Sequence, residues 1–310
     1  MKVNIVILNY NGETLLPQCM PSIIDAKHSS ANEVKITVID NESTDSSLDA
    51  LARYGSEVTV IPHENRVFCS FNDVAASLDD DIVILLNNDI KVEADFIDPL
   101  ADVFKKHPDA FLAGPRVLTF DKKRYEGTKT RGWIEKGVFK SSSRFPGYEK
   151  YVDIEGYTAQ AGFGAFDRKK FLQLNGYDDL YLPGIMEDAD LCYRAWRCGF
   201  RGYYQPKSLI YHIGQASFKP RFGAFRIRRM SHRNTYLFMW KNISDKKILA
   251  TGLLYLIPRM VFAVLRGKFE IPAGFISALA RWPGAMKRRV KVRSDFVRSD
   301  AEVLKEFERM

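Results

Sequence analysis

The chain has 310 residues, 46% hydrophobic and 27% charged, an ordinary globular composition that excludes wholesale disorder, a collagen-like rod and a polytopic membrane protein. Its four cysteines, Cys19, Cys69, Cys192 and Cys198, form no C-x-x-C pair, which argues against a disulfide scaffold or zinc ribbon and for a reducing, cytosolic compartment. The net charge of +8 is unevenly spread: residues 1–220 carry 26 Lys/Arg against 31 Asp/Glu, whereas residues 221–293 carry 17 against 2, a segment of net +15 suited to anionic lipid, nucleic acid or phosphorylated substrates.

The opening apolar run is too short for a signal h-region or a membrane span, and Asn4 interrupts it, so residues 3–8 read as a first buried strand and the chain is expected in the cytosol. A helix over 15–26 follows, then a strand over 34–39, a helix over 44–54, a strand over 58–61, a helix over 67–78, a strand over 82–86, a helix over 94–106 and a strand over 110–117. Continuous apolar strands alternating with helices predict an α/β fold, a mostly parallel sheet covered on both faces, with ligands at the carboxyl ends of the strands. Residues 119–155, rich in Lys, Gly and Ser, read as an irregular insertion or hairpin. One more strand is predicted over 157–166, a helix over 187–198, and strands over 202–204 and 209–212. Past Gln215 the pattern is helical: a basic helix over 221–242, an apolar stretch over 248–265 broken at Pro258-Arg259, and an amphipathic helix over 271–286 leading into KRRVKVR.

Four polar clusters follow predicted strands or open a helix: Asn9-Tyr10-Asn11-Gly12, Asp40-Asn41-Glu42-Ser43-Thr44-Asp45, Asn87-Asn88-Asp89 and Glu187-Asp188-Ala189-Asp190. Each has a structural explanation, since Asx and Ser residues cap helices and acids in a first helical turn favour the macrodipole. Three such clusters on one edge of a parallel sheet, with an acidic block downstream, instead describe a pocket for a polar ligand that needs carboxylates and amides.

The blocks VILNYNG, VIDNESTDSS, ILLNNDIKV, AGFGAFDRKKF and EDADLCYRAWRCGF, in that order over about residues 1–215, resemble the family 2 glycosyltransferases of the GT-A fold. In style they are similar to bacterial enzymes that add rhamnose or a related sugar to cell-surface polysaccharide precursors. The resemblance implies a Rossmann-like GT-A domain over 1–215 with a helical carboxy-terminal extension over 216–310, a nucleotide-diphosphate sugar as donor, a divalent metal (Mn²⁺ or Mg²⁺) and inversion at the anomeric carbon. It places Asp40 on the nucleobase, Asn9 and Glu42 beside the nucleoside, and Asn87 at the ribose. Asp89 becomes the metal ligand of the D-x-D position, His212 a second metal or diphosphate contact, and Asp188 the general base. The acceptor implied is a hydroxyl of a glycan or lipid-linked saccharide. The chain departs from the family pattern in three places: its metal motif has one carboxylate, Asn65-Arg66-Val67 replaces the usual Asn-x-Gly, and YLPGIM stands where an aromatic-rich run is common.

Hard oxygen ligands such as Asp89 suit a cation that neutralises a departing diphosphate, and one carboxylate suffices to take the proton of an acceptor hydroxyl. Arg233-Asn234 reads as solvated helix surface or as a diphosphate contact, and Trp133 and Tyr157 as packing or as sugar-stacking rings. The apolar stretch over 248–265, with Arg259 in its middle and basic flanks, predicts an interfacial segment on an anionic membrane surface at the inner face of the plasma membrane. The alternative for these helices is packing on the body or on a second copy of the chain as a homodimer. A NAD-binding oxidoreductase is disfavoured because NYNGET stands where G-x-G-x-x-G belongs, a P-loop NTPase because no Walker A motif exists, and a sugar nucleotidyltransferase because its Gly-rich basic first loop is missing. A nucleotide-sugar-binding or membrane-interaction module without transferase activity is the competing function; no nucleic-acid-binding motif is present, and no nucleic-acid partner is expected.

Overall fold

The computed structural model describes residues 1–214 and 218–310. In chain order the elements are β1 (Lys2–Asn9), α1 (Leu16–Ser29), β2 (Glu33–Asp40), α2 (Ser47–Ala52), β3 (Thr59–Pro62), α3 (Ser70–Ser77), β4 (Ile82–Asn87), β5 (Ile90–Val92), α4 (Ile97–Lys106), β6 (Ala110–Thr119) and β7 (Tyr125–Gly127). They continue with β8 (Arg131–Glu135), β9 (Val138–Ser142), β10 (Gly156–Tyr157), β11 (Gly164–Asp167), α5 (Arg168–Gln173), α6 (Glu187–Arg197) and β12 (Arg201–His212). The last helices are α7 (Phe218–Asn242), α8 (Lys246–Leu254), α9 (Leu256–Leu265), α10 (Glu270–Leu279), α11 (Trp282–Arg293) and α12 (Asp300–Arg309).

The chain forms two compact units: Met1–Thr130 with Ser143–Tyr177 and Arg201–Gly214, and Arg131–Ser142 with Asp178–Phe200 and Gln215–Met310. The boundary expected between residues 215 and 216 lies outside the described residues.

The first unit is built on one sheet in the order β10-β12-β6-β11-β4-β1-β2-β3, with β5 on β12 and β7 on β6. Strands β1 to β4 are parallel, and β11 runs antiparallel between β4 and β6. Ile5, Ile7, Val38, Ile84 and Leu86 of the strands share a core with Met20 and Ile23 of α1 and Leu100 and Val103 of α4. Burial of such runs on both faces is what makes them parallel strands covered by helices. The register sets Asn9 opposite Asp40, and Leu8 opposite Asn87, so three strand ends finish together.

In the first unit three predicted strands change. The strand expected over 157–166 is two, β10 and β11, because Thr158 turns the chain: its hydroxyl donates to Gln160 O at 3.0 Å and accepts from Thr130 N at 2.9 Å. The strands expected over 202–204 and 209–212 are one, β12, whose pairing with β6 slips between Gln205 and Leu209, where Pro206 has no N–H for the ladder. Short β5, not predicted, pairs antiparallel with β12 and sets Ile90 opposite His212.

The second unit packs helices on the β8–β9 hairpin. Its core is aromatic: Phe139 stacks on Phe238 at 4.7 Å, and Phe307 meets Trp196 edge-on at 5.2 Å and Tyr193 at 6.2 Å. Helix α7 carries a break at Gly223 (φ 68°, ψ 160°). The apolar stretch is interrupted at Tyr255 rather than at Pro258-Arg259, because Pro258 falls in the first turn of α9, where its missing N–H costs no helical hydrogen bond. The amphipathic helix expected over 271–286 is likewise divided, and α11 opens with Pro283 in its first turn. Helix α12, also not predicted, starts at a capping box in which Ser299 and Glu302 exchange side-chain-to-backbone bonds.

Candidate active site

In the first unit, the ends of β1, β2 and β4 are tied by a chain of amides. The buried Asn9 amide donates to Asp40 Oδ1 and to Ser43 Oγ, each at 3.1 Å, and its oxygen accepts from Asn88 Nδ2 at 2.8 Å. Asp40 also accepts from the Ser43 amide at 3.3 Å, which curls the β2–α2 turn back onto its own strand. Gly12 lies against this chain: a Cβ there would stand 2.2 Å from Asn9 Oδ1 and 2.4 Å from Asn88 Nδ2, so the position admits no side chain without breaking the link. Its N–H donates to Ser47 Oγ at 2.8 Å. Asn9 and Asp40, both predicted nucleoside contacts, are thus in direct contact, while Asn87 ends β4 exposed.

Glu42 takes a left-handed backbone (φ 58°) and accepts from the Asn65 amide at 3.2 Å, so the β2 turn is joined to the β3–α3 loop. In that loop Val67, which replaces the family's usual glycine, nevertheless adopts φ 54°. A β-branched residue there is a strained backbone position. It is held by Asn65 Oδ1, which accepts from its N–H at 3.1 Å, and by Asn41 Nδ2, which donates to its carbonyl at 3.2 Å.

Asp89 and His212, proposed from sequence as metal contacts, lie together. Asp89 Oδ2 is 3.2 Å from His212 Nε2, and the antiparallel pairing of β5 with β12 is what brings them there. The other Asp89 oxygen is buried with no hydrogen-bond partner. On the far side of the imidazole, Nδ1 is 2.7 Å from Glu126 Oε2, from β7, and the ring packs edge-on against Phe163 at 5.1 Å. Burial pulls the His212 pKa down, but hydrogen bonds and charge from Asp89 and Glu126 outweigh it and hold the pKa above the usual imidazole value. The sequence did not point to Glu126; it sits in a Lys-rich insertion with no motif around it, and only the β6–β7 pairing reveals its place.

An unclaimed carboxylate oxygen beside an imidazole nitrogen fits a Mn²⁺- or Mg²⁺-like cation. Among the described residues no group of three or more His, Cys, Asp or Glu side chains is arranged to hold a metal alone. That donor set suits a cation that takes its remaining ligands from water and a substrate diphosphate.

The second unit holds the acidic block. Ile185 and Met186, both at positive φ (73° and 78°), lead into α6. Asn234, from α7, holds this approach: its buried amide donates to the carbonyls of Tyr181, Gly184 and Ile185 at 3.2, 2.8 and 2.7 Å. Arg233 adds a bond to Leu182 O at 2.7 Å and another to Asn234 Oδ1 at 2.8 Å. Arg233-Asn234 is therefore a buried structural pair and not solvated surface.

The three acids of the block have different surroundings. Asp190 is fully buried and accepts from Tyr181 Oη, Asn242 Nδ2, Arg194 Nε and Lys241 Nζ, each at 2.8 Å. Burial works against its charge, but Lys241 and Arg194 overcome that and hold its pKa far below the usual carboxylate range. Glu187 is pushed up to about 8 by burial and by the charge of Asp188, and its Oε2 has no partner. Asp188 lies half-buried in the first turn of α6.

Fold and site together define an α/β domain with a cluster of amides and carboxylates at the carboxyl ends of its parallel strands. The chain belongs to glycosyl transferase family 2, which matches residues 4–173, more than half of its length. Among curated proteins it is 26% identical over 148 residues to putative polypeptide N-acetylgalactosaminyltransferase 10 of Drosophila melanogaster, covering 44% of this chain and 23% of that protein. It is 24% identical over 243 residues to N-acetylgalactosaminyltransferase 7 of the same organism, covering 71% and 40%. The chain thus spans well under half the length of these relatives. Among solved structures it is similar to GalNAc-T7 with UDP, GalNAc and Mn²⁺ (TM-score 0.58, 18% identity, 79% of this chain and 48% of that one). It is also similar to the mannosyltransferase PcManGT from Pyrobaculum calidifontis in complex with GDP-Man and Mn²⁺ (0.54, 13%, 94% and 85%) and to S. aureus TarS 1-349 (0.57, 13%, 100% and 90%). The fold is the GT-A fold expected from the sequence.

Proposed function

We propose that the chain is an inverting glycosyltransferase that moves a sugar from a nucleotide-diphosphate donor to a hydroxyl of a glycan or lipid-linked saccharide, in the cytoplasm, as a step in polysaccharide biosynthesis. The observation that carries this is the Asp89–His212 pair with its unclaimed carboxylate oxygen, beside the amide-linked strand ends of Asn9 and Asp40. Structural neighbours solved with UDP or GDP-Man and Mn²⁺ support the choice of donor class and metal.

In this assignment Asp40 and Asn9 receive the nucleoside, with Glu42 bracing the turn beside them and Asn87 at the ribose. Asp89 and His212 would hold the metal, which would supply positive charge against the diphosphate. Asp188 takes the proton of the acceptor hydroxyl as that oxygen bonds to the anomeric carbon, the carbon–oxygen bond to the diphosphate breaks, and the nucleoside diphosphate leaves with the electron pair. A single displacement of this kind inverts the anomeric centre. Of the block's acids, Asp190 is committed to four internal hydrogen bonds, and Asp188 stands at the position to which the family resemblance gives the role of base.

The test is release of nucleoside diphosphate from a panel of nucleotide sugars with Mn²⁺ or Mg²⁺, in wild type and Asp188→Asn. The variant should lose turnover by about 10²–10⁴-fold with nucleotide affinity unchanged. Turnover within tenfold of wild type removes Asp188 from the role, and nucleotide binding without turnover in wild type favours a binding module.

A further inference from the structure

We propose that the outward side of α8 and α9 is a membrane-contact face that lies in the plane of an anionic lipid surface. In α9, Ile257, Val261 and Val264 recur at helical spacing and share one side, with Leu265 beside them; Leu253 and Leu254 of α8 precede them across Tyr255, where the Tyr255 and Arg259 amides still donate four residues back and keep the helical course. Leu253, Leu254, Ile257 and Leu265 are exposed by 71, 74, 72 and 76%, so these side chains are not packed into a core. Phe269, Ile276, Leu279 and Trp282 extend the exposed apolar residues along the chain into α10 and α11. Contiguous exposed apolar surface of this kind marks an interaction site.

The opposite side of the same helices is already taken. The β8–β9 turn sits against α8 so closely that a Cβ on Gly252 would stand 2.8 Å from Gly137 O. Arg259 Nη2 donates to Lys136 O at 2.8 Å, and Ala263 is buried. Lys246–Leu265 is 20 residues long and apolar enough to cross a bilayer by length and composition. A helix with one long side fixed to a polar hairpin turn by a guanidinium presents only its other side to lipid, so it rests on the surface instead of crossing it.

Charge selects the occupant. The exposed stripe is bracketed by Lys246 and Lys247 at one end and by Arg266 and Lys268 at the other, all exposed. The two acids between residues 221 and 293 are both occupied: Asp245 caps α8 by accepting from Lys247 N and Ile248 N at 2.7 and 3.2 Å, and Glu270 accepts from Arg228 at 3.0 Å. A two-fold contact with a second copy would bring two such cationic faces together, and a nucleic acid would leave the aliphatic stripe in water. An anionic bilayer satisfies both parts, with cations among headgroups and the stripe in the acyl boundary.

This inference stands apart from the donor-site assignment, and the test keeps them separate. The full chain is sedimented with phosphatidylcholine vesicles and with vesicles that also contain phosphatidylglycerol, at low and high salt, while nucleoside diphosphate affinity and oligomeric state are followed on the same preparations. Wild type should partition at least tenfold better onto the anionic vesicles, with a fraction that resists salt. Lys246→Gln with Lys247→Gln, Arg266→Gln and Lys268→Gln should abolish the preference for anionic lipid. Leu253→Gln with Ile257→Gln and Val261→Gln should remove the salt-resistant fraction, and both variants should keep nucleotide affinity and circular dichroism. Wild type that binds neither vesicle, an apolar variant that binds as wild type does, or a wild-type dimer that the apolar variant dissociates would each overturn the proposal.

Discussion

Glu126 touches the proposed metal site through the His212 imidazole. With its carboxylate on Nδ1, His212 is fixed as the tautomer whose Nε2 is left for a cation, provided that nitrogen loses its proton. Because Asp89 and Glu126 raise the His212 pKa, protons compete with metal; affinity for Mn²⁺ should rise with pH through the His212 titration and then level off. Glu126→Gln keeps an acceptor but removes the charge. It should lower the His212 pKa, read by nuclear magnetic resonance, and weaken Mn²⁺-dependent nucleotide binding by about 10–100-fold, read by calorimetry. An unshifted titration would make Glu126 a mere packing residue. Val67 gives a second residue-scale expectation. A left-handed backbone costs a non-glycine residue roughly 1–2 kcal/mol, partly offset because glycine gains entropy when unfolded. Val67→Gly should therefore stabilise the chain by about 0.5–1 kcal/mol in urea denaturation while Val67→Ala, which keeps the Cβ, should not.

At the scale of elements, the approach to α6 depends on a side chain from another helix. Asn234→Ala would strip one amide from three carbonyls, in a loop with two residues at positive φ. A loss of about 2–3 kcal/mol is expected by thermal denaturation, with a fall in turnover because the first turn of α6 loses its support. Which elements could be read from sequence follows from what drives them. The inner parallel strands β1 and β4 were legible because burial on both faces demands apolar runs, and their Asx-rich ends were legible because the chain must turn there. Strand β5 was not: three residues carry no period, and its pairing with β12 is a long-range event. Helix α12 hides its apolar stripe of Val303, Leu304 and Phe307 among charges in only ten residues. Asp89 and His212 could be named from motif and order, but Glu126 could not, since nothing local distinguishes it from a solvated acid. Conversely Arg233-Asn234 looked like surface on a basic helix, and only tertiary packing shows that both are buried.

For the whole molecule, Glu187 sets a pH dependence of stability. Its ordinary pKa of 4.5 applies when unfolded, and the folded value is about 8. Between those values the folded chain holds a proton that the unfolded chain has released, so stability from this group falls as pH rises through the window and levels off above about 8. The loss is on the order of a few kcal/mol. Urea denaturation at three pH values across that range should show a downward slope in wild type that Glu187→Gln flattens, with the variant the more stable at the alkaline end. Parallel curves would show that Glu187 ionises normally.

The second unit is assembled from three stretches of chain, and this sets the order in which a newly made polypeptide can fold. All strands of the first unit have been synthesised by Gly214. The hairpin residue Phe139 and the α6 residues Tyr193 and Trp196 must instead wait for Phe307, and Arg197 for Asp300, both near the end of the chain. At about 5–20 residues per second of translation, that wait lasts roughly 5–20 s for α6 and roughly 8–35 s for the hairpin. During that interval aromatic surface stays open on the nascent chain, within reach of chaperones or of neighbouring nascent chains, and a ribosome stalled before α12 would release a polypeptide with one finished unit and one that cannot close.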